Sequence, residues 1–383
     1  MSRRVHLTGS ASPECDPDLL DWANEALRAF LTDHLRANGR LIAQVGGEPR
    51  HAQSGAPRTF DWLIMEAALD ALRAGDADPR PEGHLLILRG SQRGYSQIPA
   101  DRRSVLSKLI EREAVELSLL PDTWRSGALI RQAQAEPGDV LLIVSGGAGV
   151  EHLADLYAQR GRPVIPWHLD LGSAGGDGVI GGIGLAKKAL TDADRFFRLA
   201  SGSSSEARLT QLRVDPPELG SATERGGALA QLVRDLELPH AFCVRLLNPK
   251  IERYKEVDDH FREVIKPVLG EFGYRTIDLG VEPQEAAWMN EEIFARLHCS
   301  ALVFCDLTAQ RPNCYTELGY CLGNGQRFLL SAHQQESLPF DTDKLPCLHW
   351  SESEAVDERQ DKLRDHIARF GDAPPLVERA SLL

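Results

Sequence analysis

Ala301-Leu302-Val303-Phe304-Cys305-Asp306-Leu307-Thr308-Ala309-Gln310-Arg311-Pro312-Asn313-Cys314-Tyr315-Thr316-Glu317-Leu318-Gly319-Tyr320 reads as a strand, a turn and a helix in one unbroken stretch. The apolar run Ala301 to Cys305 has the character of a buried strand and delivers Asp306 to its carboxyl end. Arg311-Pro312-Asn313 supplies the turn, and a short helix follows with Glu317 near its first turn. Two carboxylates are thereby brought to the edge of a sheet, where open α/β folds bind ligands. Such a pair suits a sugar carbon that is losing its base. A nucleotide or nucleoside is the first substrate class to weigh.

The same alternation extends along the chain. Val5 to Thr8, Arg40 to Val45, His84 to Leu88, Val140 to Val144 and Pro163 to Trp167 read as strands. Between them lie helical patterns at Leu19 to Asn38, Phe60 to Ala74, Val105 to Leu120, Leu129 to Ala135 and Val150 to Arg160. Continuously apolar strands separated by amphipathic helices predict a mainly parallel sheet covered on both faces. A second alternation starts at Ala241, with strands at Phe242 to Leu247, Tyr274 to Asp278, Ala301 to Leu307 and Arg327 to Ser331. The expected architecture is α/β, with two Rossmann-like or flavodoxin-like domains. Composition places the first at 1–200 and the second at 239–383. Serine, proline and glycine breaks mark 201–238 as a linker with a possible bridging helix around Leu229 to Leu236.

A chain of 383 residues with 42% hydrophobic and 26% charged content can bury two cores. It contains no apolar stretch of membrane-spanning length, and its start has no signal-peptide pattern. The seven cysteines are odd in number and several lie in apolar runs, which suits reduced core thiols and a cytoplasmic location. Cys314 and Cys321 share a helix face without a CxxC partner, so no metal site is expected. A net charge of −13 argues against nucleic-acid binding but not against a small anion held by local amides and arginines.

Ser145-Gly146-Gly147-Ala148-Gly149-Val150-Glu151 joins an apolar strand to a helix. Glycines there let backbone approach a ligand, and free amides at the helix start favour phosphate. A tight turn alone also wants glycine, but Gly9-Ser10 ends a strand nearby in the pattern and Pro163-Val164-Ile165-Pro166 follows the helix. On these motifs residues 1–200 resemble the SLOG superfamily, which includes the cytokinin-activating phosphoribohydrolases and nucleotide sensors. The family turn is GG-x-G-T-x-x-E; Gly146, Gly147 and Gly149 match, whereas Val150 stands for the threonine and Leu153 for the catalytic glutamate. The resemblance implies a sensor of a nucleotide-derived signal, contacted by Gly9, Ser10, Gly146, Gly147, Gly149 and Glu151.

The second half carries Gly273-Tyr274, Asp306-Leu307-Thr308, Pro312-Asn313, Glu317-Leu318-Gly319 and Leu338-Pro339-Phe340-Asp341 in order. In this it resembles nucleoside 2-deoxyribosyltransferases and TIR domains. That resemblance implies Glu317 as the nucleophile at the anomeric carbon. Asp306 would orient the ribose or the departing base, and Asn313, Tyr315 and Thr308 would line the substrate. A helix dipole would hold Glu317 ionised. Both carboxylates also have a purely structural reading, because acidic residues suit first turns and capping amides satisfy carboxylates. Asn313 has one as a plain helix cap, and Asp341 is read as structural. The histidines His298, His333 and His349 are scattered and offer no base–nucleophile pair.

Together the halves imply a homo-oligomeric effector of bacterial antiviral defence that senses a nucleotide and hydrolyses NAD, with no cofactor required. Two other readings stay open. In one the protein is a non-enzymatic sensor or adaptor. In the other the glycine turn releases ribose 5-phosphate from nucleoside monophosphates, with Glu151 replacing the displaced acid.

Overall fold

The computed structural model describes residues 3–77, 84–172, 180–216, 219–278, 289–339 and 342–371, with backbone alone at 289 and 290. It divides into two compact units, Ser2–Glu237 and Leu238–Leu383. Each is an α/β domain built on an all-parallel sheet.

In the first domain the strands are β1 (Arg4–Ser10), β2 (Arg40–Val45), β3 (Leu86–Ser91), β4 (Val115–Leu120), β5 (Val140–Ser145) and β6 (Val164–Trp167). The helices are α1 (Pro17–Arg36), α2 (Asp61–Ala74), α3 (Gln92–Ser96), α4 (Ala100–Glu111), α5 (Ser126–Ala135), α6 (Ala148–Ala158), α7 (Gly181–Ala189), α8 (Ser205–Leu212) and α9 (Ala222–Asp235). The sheet order is β4-β3-β2-β1-β5-β6. All six residues of β5 are buried, as a strand covered on both faces requires. Strand β4 departs from expectation, since the helical pattern was read as running to Leu120. Helix α4 instead ends at Glu111, and Glu113 takes the left-handed conformation at φ 54°. As an edge strand β4 is only partly buried, and its apolar residues continue the spacing of Leu106 and Leu109.

The segment 201–238 is also different from a linker. Leu209 and Leu212 of α8 and Leu229, Ala230, Leu232 and Val233 of α9 belong to the same hydrophobic core as Leu20, Ala23, Leu27 and Phe30 of α1. Helices α9 and α1 cross so closely that a Cβ on Gly226 would lie 2.2 Å from the Ala26 carbonyl oxygen. Gly226, one of the glycines that mimic a flexible linker, is there for contact.

In the second domain β7 (His240–Val244), β8 (Arg275–Ile277), β9 (Leu302–Asp306), β10 (Phe328–His333) and β11 (Cys347–Trp350) form a sheet of order β11-β10-β9-β7-β8. Counted along the domain this is the flavodoxin-like order. Its helices are α10 (Tyr254–His260), which runs through a π-helical turn (Phe261–Ile265) into α11 (Lys266–Glu271), then α12 (Met289–Cys299), α13 (Pro312–Asn324) and α14 (Val356–Phe370). One core lies on the face of Phe261, Leu269, Leu363 and Ile367. The other lies on the face of Leu297, Leu318 and Cys321.

The α1–α9 contact is directly testable. Gly226→Val should cost about 1–3 kcal/mol through overpacking, seen as a lower thermal unfolding midpoint of the full chain. An unchanged midpoint would mean that α9 does not lie on α1.

Candidate functional site

The strand order of the first sheet reverses at β1. From β1 the chain steps outward through β2, β3 and β4, then returns to place β5 on the other side of β1. Connections at such a point diverge, and open α/β sheets bind ligands outside the carboxyl ends there. Ser10 and Ser145 are register partners at those ends. Just before them, Gly9 has φ 147°, and a Cβ there would come within 1.9 Å of the Val144 carbonyl oxygen. Ser145 is fully buried and left-handed at φ 55°, a costly conformation for a residue with a side chain. It turns the chain into Gly146-Gly147 and then α6.

Helix α6 starts with Gly147 at its cap position, and among the described residues no side chain bonds its first amides. Those donors are left for a ligand or water. The turn is fastened from the other side by α7. Gly182 donates its N–H to the Gly146 carbonyl at 2.9 Å, and Gly181 donates to Glu151 Oε1 at 3.1 Å. Gly181 itself has φ 75° and passes the Gly146 carbonyl so closely that a Cβ would sit 2.2 Å from it. Glu151 therefore holds α7 in place. Leu153, at the position of the phosphoribohydrolase acid, is buried.

Arg131 of α5 reaches the same turn. Its Nη1 lies 3.6 Å from where a Gly149 Cβ would be and 3.5 Å from the corresponding point on Gly127. The guanidinium thus stands between the first turns of α6 and α5, both electropositive. Its Nε donates to His152 Nδ1 at 3.0 Å. Among the described residues no carboxylate pairs with Arg131, and burial pulls its pKa down. A half-buried cation beside two helix starts is an arrangement that an anion completes. Nothing in the α5 sequence marks this arginine; only its place in an otherwise apolar Leu129-Ile130 turn could have drawn attention to it.

The second domain distributes the expected site residues differently. Asp306 is fully buried: Oδ1 accepts the Thr308 N–H at 3.1 Å, and Oδ2 accepts Ser331 Oγ–H at 2.5 Å and Trp350 Nε1–H at 2.9 Å. Thr308 is equally sealed, its hydroxyl accepting the His333 N–H at 2.9 Å. These two residues knit the ends of β9, β10 and β11. Asn313 is exposed as the second residue of α13, so it is not the cap; Arg311 occupies that position without a side-chain bond. Tyr315 is half-buried against the core of Leu318 and Cys321. Phe340 and Asp341 lie outside the described residues, as does the glycine-rich stretch 173–179.

Glu317 is half-buried in the second turn of α13, because Pro312 starts the helix earlier than the pattern suggested. Beyond the first turn the dipole is weak. Burial dominates and pushes the carboxyl up to about 7, the reverse of the expected dipole-held carboxylate. Its charge would fall among the thiols of Cys305, Cys314 and Cys321, all raised by burial and by that charge.

His333, expected to stand alone, has partners 19 and 80 residues away in sequence. Its Nε2 lies 2.7 Å from Glu352 Oε2, and its Nδ1 accepts from Arg253 Nη1 at 2.5 Å. Glu256, His333 and Glu352 bring ligand atoms within 4.8 Å of one another. Arg253, ion-paired with Glu256 at 3.4 Å, already supplies positive charge there. No helix among the described residues is long and apolar enough to cross a membrane.

Comparison with known proteins bears on the first domain. A family model described as ATP nucleosidase Cap17-like, N-terminal, matches residues 1–233 and ends inside α9. Two proteins named ATP nucleosidase Cap17, one from Escherichia coli strain KTE188 and one from Escherichia coli, are each 26% identical to it over 216 residues. The aligned part is 56% of this chain and 41% of each relative, so the chain spans less than half of their length.

The raised Glu317 carboxyl has a measurable consequence. Its folded pKa exceeds the unfolded one, so below about pH 4 it costs nothing, and its penalty grows as pH rises through about 7. Glu317→Gln should therefore raise the thermal midpoint at pH 8 and leave it unchanged at pH 4. Equal shifts at both pH values would place the carboxyl in water.

Proposed function

The chain belongs through residues 1–233 to the Cap17-like ATP nucleosidase family, and on that premise we propose that it hydrolyses the N-glycosidic bond of ATP bound in the β1/β5 crevice. The observation that carries this reading is the cradle itself: unoccupied amides at the start of α6 beside the unneutralised Arg131 guanidinium. That combination suits a polyphosphate. ATP takes the place of NAD as the expected substrate, since the NAD expectation came from the second domain's resemblance alone. Water would add its oxygen to the anomeric carbon as the carbon–nitrogen bond breaks, giving adenine and ribose 5-triphosphate. With Leu153 in place of the phosphoribohydrolase acid, the glycine turn binds phosphate and the proton-transfer group comes from elsewhere on the sheet edge. Such turnover drains the ATP pool, which accords with a self-toxic defence effector.

A second reading is favoured by Glu317, whose half-buried carboxyl with a pKa near 7 can serve in acid–base work. In that reading the first domain senses the nucleotide and the second cleaves the bond, with assembly of several copies completing its site.

The readings separate in one assay. Purified protein incubated with ATP should release adenine, followed by chromatography. Arg131→Ala should weaken ATP binding by roughly 10–100-fold, the loss of a charge-assisted contact of about 1.5–3 kcal/mol. Glu317→Gln should leave adenine release intact. Loss of release in Glu317→Gln with ATP binding preserved would move the chemistry to the second domain, and absence of adenine under all conditions would overturn both.

A further inference from the structure

The two edges of the first sheet are finished differently. At one edge all four residues of β6 are buried, and the Val164 N–H donates to the Phe196 carbonyl at 2.8 Å. The other edge is β4. Leu86 N–H donates to the Ala114 carbonyl, so every second residue from there, Glu116, Ser118 and Leu120, turns its main-chain groups toward β3. Val115, Leu117 and Leu119 turn theirs outward. Among the described residues those outward N–H and C=O groups have no hydrogen-bond partner.

Natural edge strands are blunted by lysine, proline, a bulge or extreme shortness. Strand β4 has none of these: it runs for six residues in unbroken register with β3, and its one charged side chain, Glu116, is held by Arg89. The outward-bonding residues are all apolar. Large apolar side chains also stand exposed at both ends of the strand. Ile110, in the last turn of α4, is 45% exposed where the chain enters β4. Trp124, just beyond Leu120, is 87% exposed, with the Arg125 guanidinium over its ring at 4.3 Å.

A second copy of this chain fits that edge by symmetry. When two β4 strands meet antiparallel, each hydrogen-bonded pair needs an outward-facing residue from both. Overlap is greatest with Leu117 opposite the partner's Leu117 and Val115 opposite the partner's Leu119. The turn that enters β4 in one copy then comes beside the loop that leaves it in the other. Those two ends complement each other: Ile110 with Trp124 in apolar character, and the exposed Arg112 and Glu113 with the exposed Asp122 and Arg125 in charge. A two-fold contact requires a surface that matches itself in this way. A foreign strand would require the main chain alone. We propose that the protein self-associates through β4, two copies joining their first sheets edge to edge into one continuous sheet.

The test uses the full chain. Light scattering should give twice the mass of one copy. Leu117→Pro should give the mass of a single copy with the thermal midpoint preserved, because proline there removes an N–H that the fold itself does not use. Leu117→Cys reports on the register, since facing Cα atoms of a hydrogen-bonded pair are about 5.5 Å apart, within reach of a disulfide. Mild oxidation should link Leu117→Cys copy to copy and leave the wild type, with its native cysteines, unlinked. Wild-type protein that keeps the mass of one copy at high micromolar concentration overturns the proposal. A dimer that persists in Leu117→Pro and fails to link in Leu117→Cys also overturns it, since its copies meet on another surface. Should Leu117→Pro lower the thermal midpoint, the cross-link decides alone: its presence supports β4 as the interface and its absence overturns it.

Discussion

After β4 the chain returns to the middle of the first sheet and lays β5 against β1. That return sends the connections after β1 and β5 apart, and the segment after β6 bonds across both, Ser12 N–H to the Leu171 carbonyl at 2.9 Å and Leu171 N–H to Ser145 Oγ at 3.4 Å. Among the described residues no side chain caps the first amides of α6. The left-handed Ser145 and the close passage of Gly181 keep them so, at a conformational cost that packing alone does not explain. Arg131 adds a charge with the opposite sign to the expected ligand.

The second sheet contains the same kind of reversal, between β7 and β9, with a different outcome. Arg245, just beyond β7, is buried with its guanidinium 3.1 Å from Asp258 and 2.6 Å from Asp278, and it stacks on Phe261. Buried ion pairs of this kind contribute little net stability, but removing one partner is expensive. The end of β7 is thereby filled by the protein's own charges. Two domains of similar architecture thus differ in what stands at the reversal: a glycine turn in the first, a buried arginine with two carboxylates in the second.

Much of the fold is written in the strands. The runs of β1, β2, β3, β5 and β9 are apolar because both faces are covered, and such runs are visible without coordinates. Edge strand β4 escaped because half of it faces water, and its apolar spacing continues that of α4. Helices α8 and α9 escaped because the residues that let helices touch, Gly226 among them, are the residues that also loosen linkers. The candidate site was nameable from sequence where it depends on backbone, at Gly9-Ser10 and Ser145-Gly146-Gly147. The candidate site was illegible where it depends on packing between distant segments: Arg131 acquires meaning only when α5 lies beside α6, and the partners of His333 appear only when Arg253 and Glu352 arrive. Glu317 was expected as an ionised carboxylate, and its electrostatics are inverted because a proline moves the helix start.

Asp306 leaves a broader lesson in recognising relatives. Its carboxylate accepts from a backbone amide, a serine and a tryptophan drawn from the neighbourhood of three strand tips, so a substitution there unravels a rim before it touches any reagent. Proteins gathered by that Asp-Leu-Thr signature would share a way of tying a barrier shut. Their chemistries could differ as widely as their remaining side chains allow.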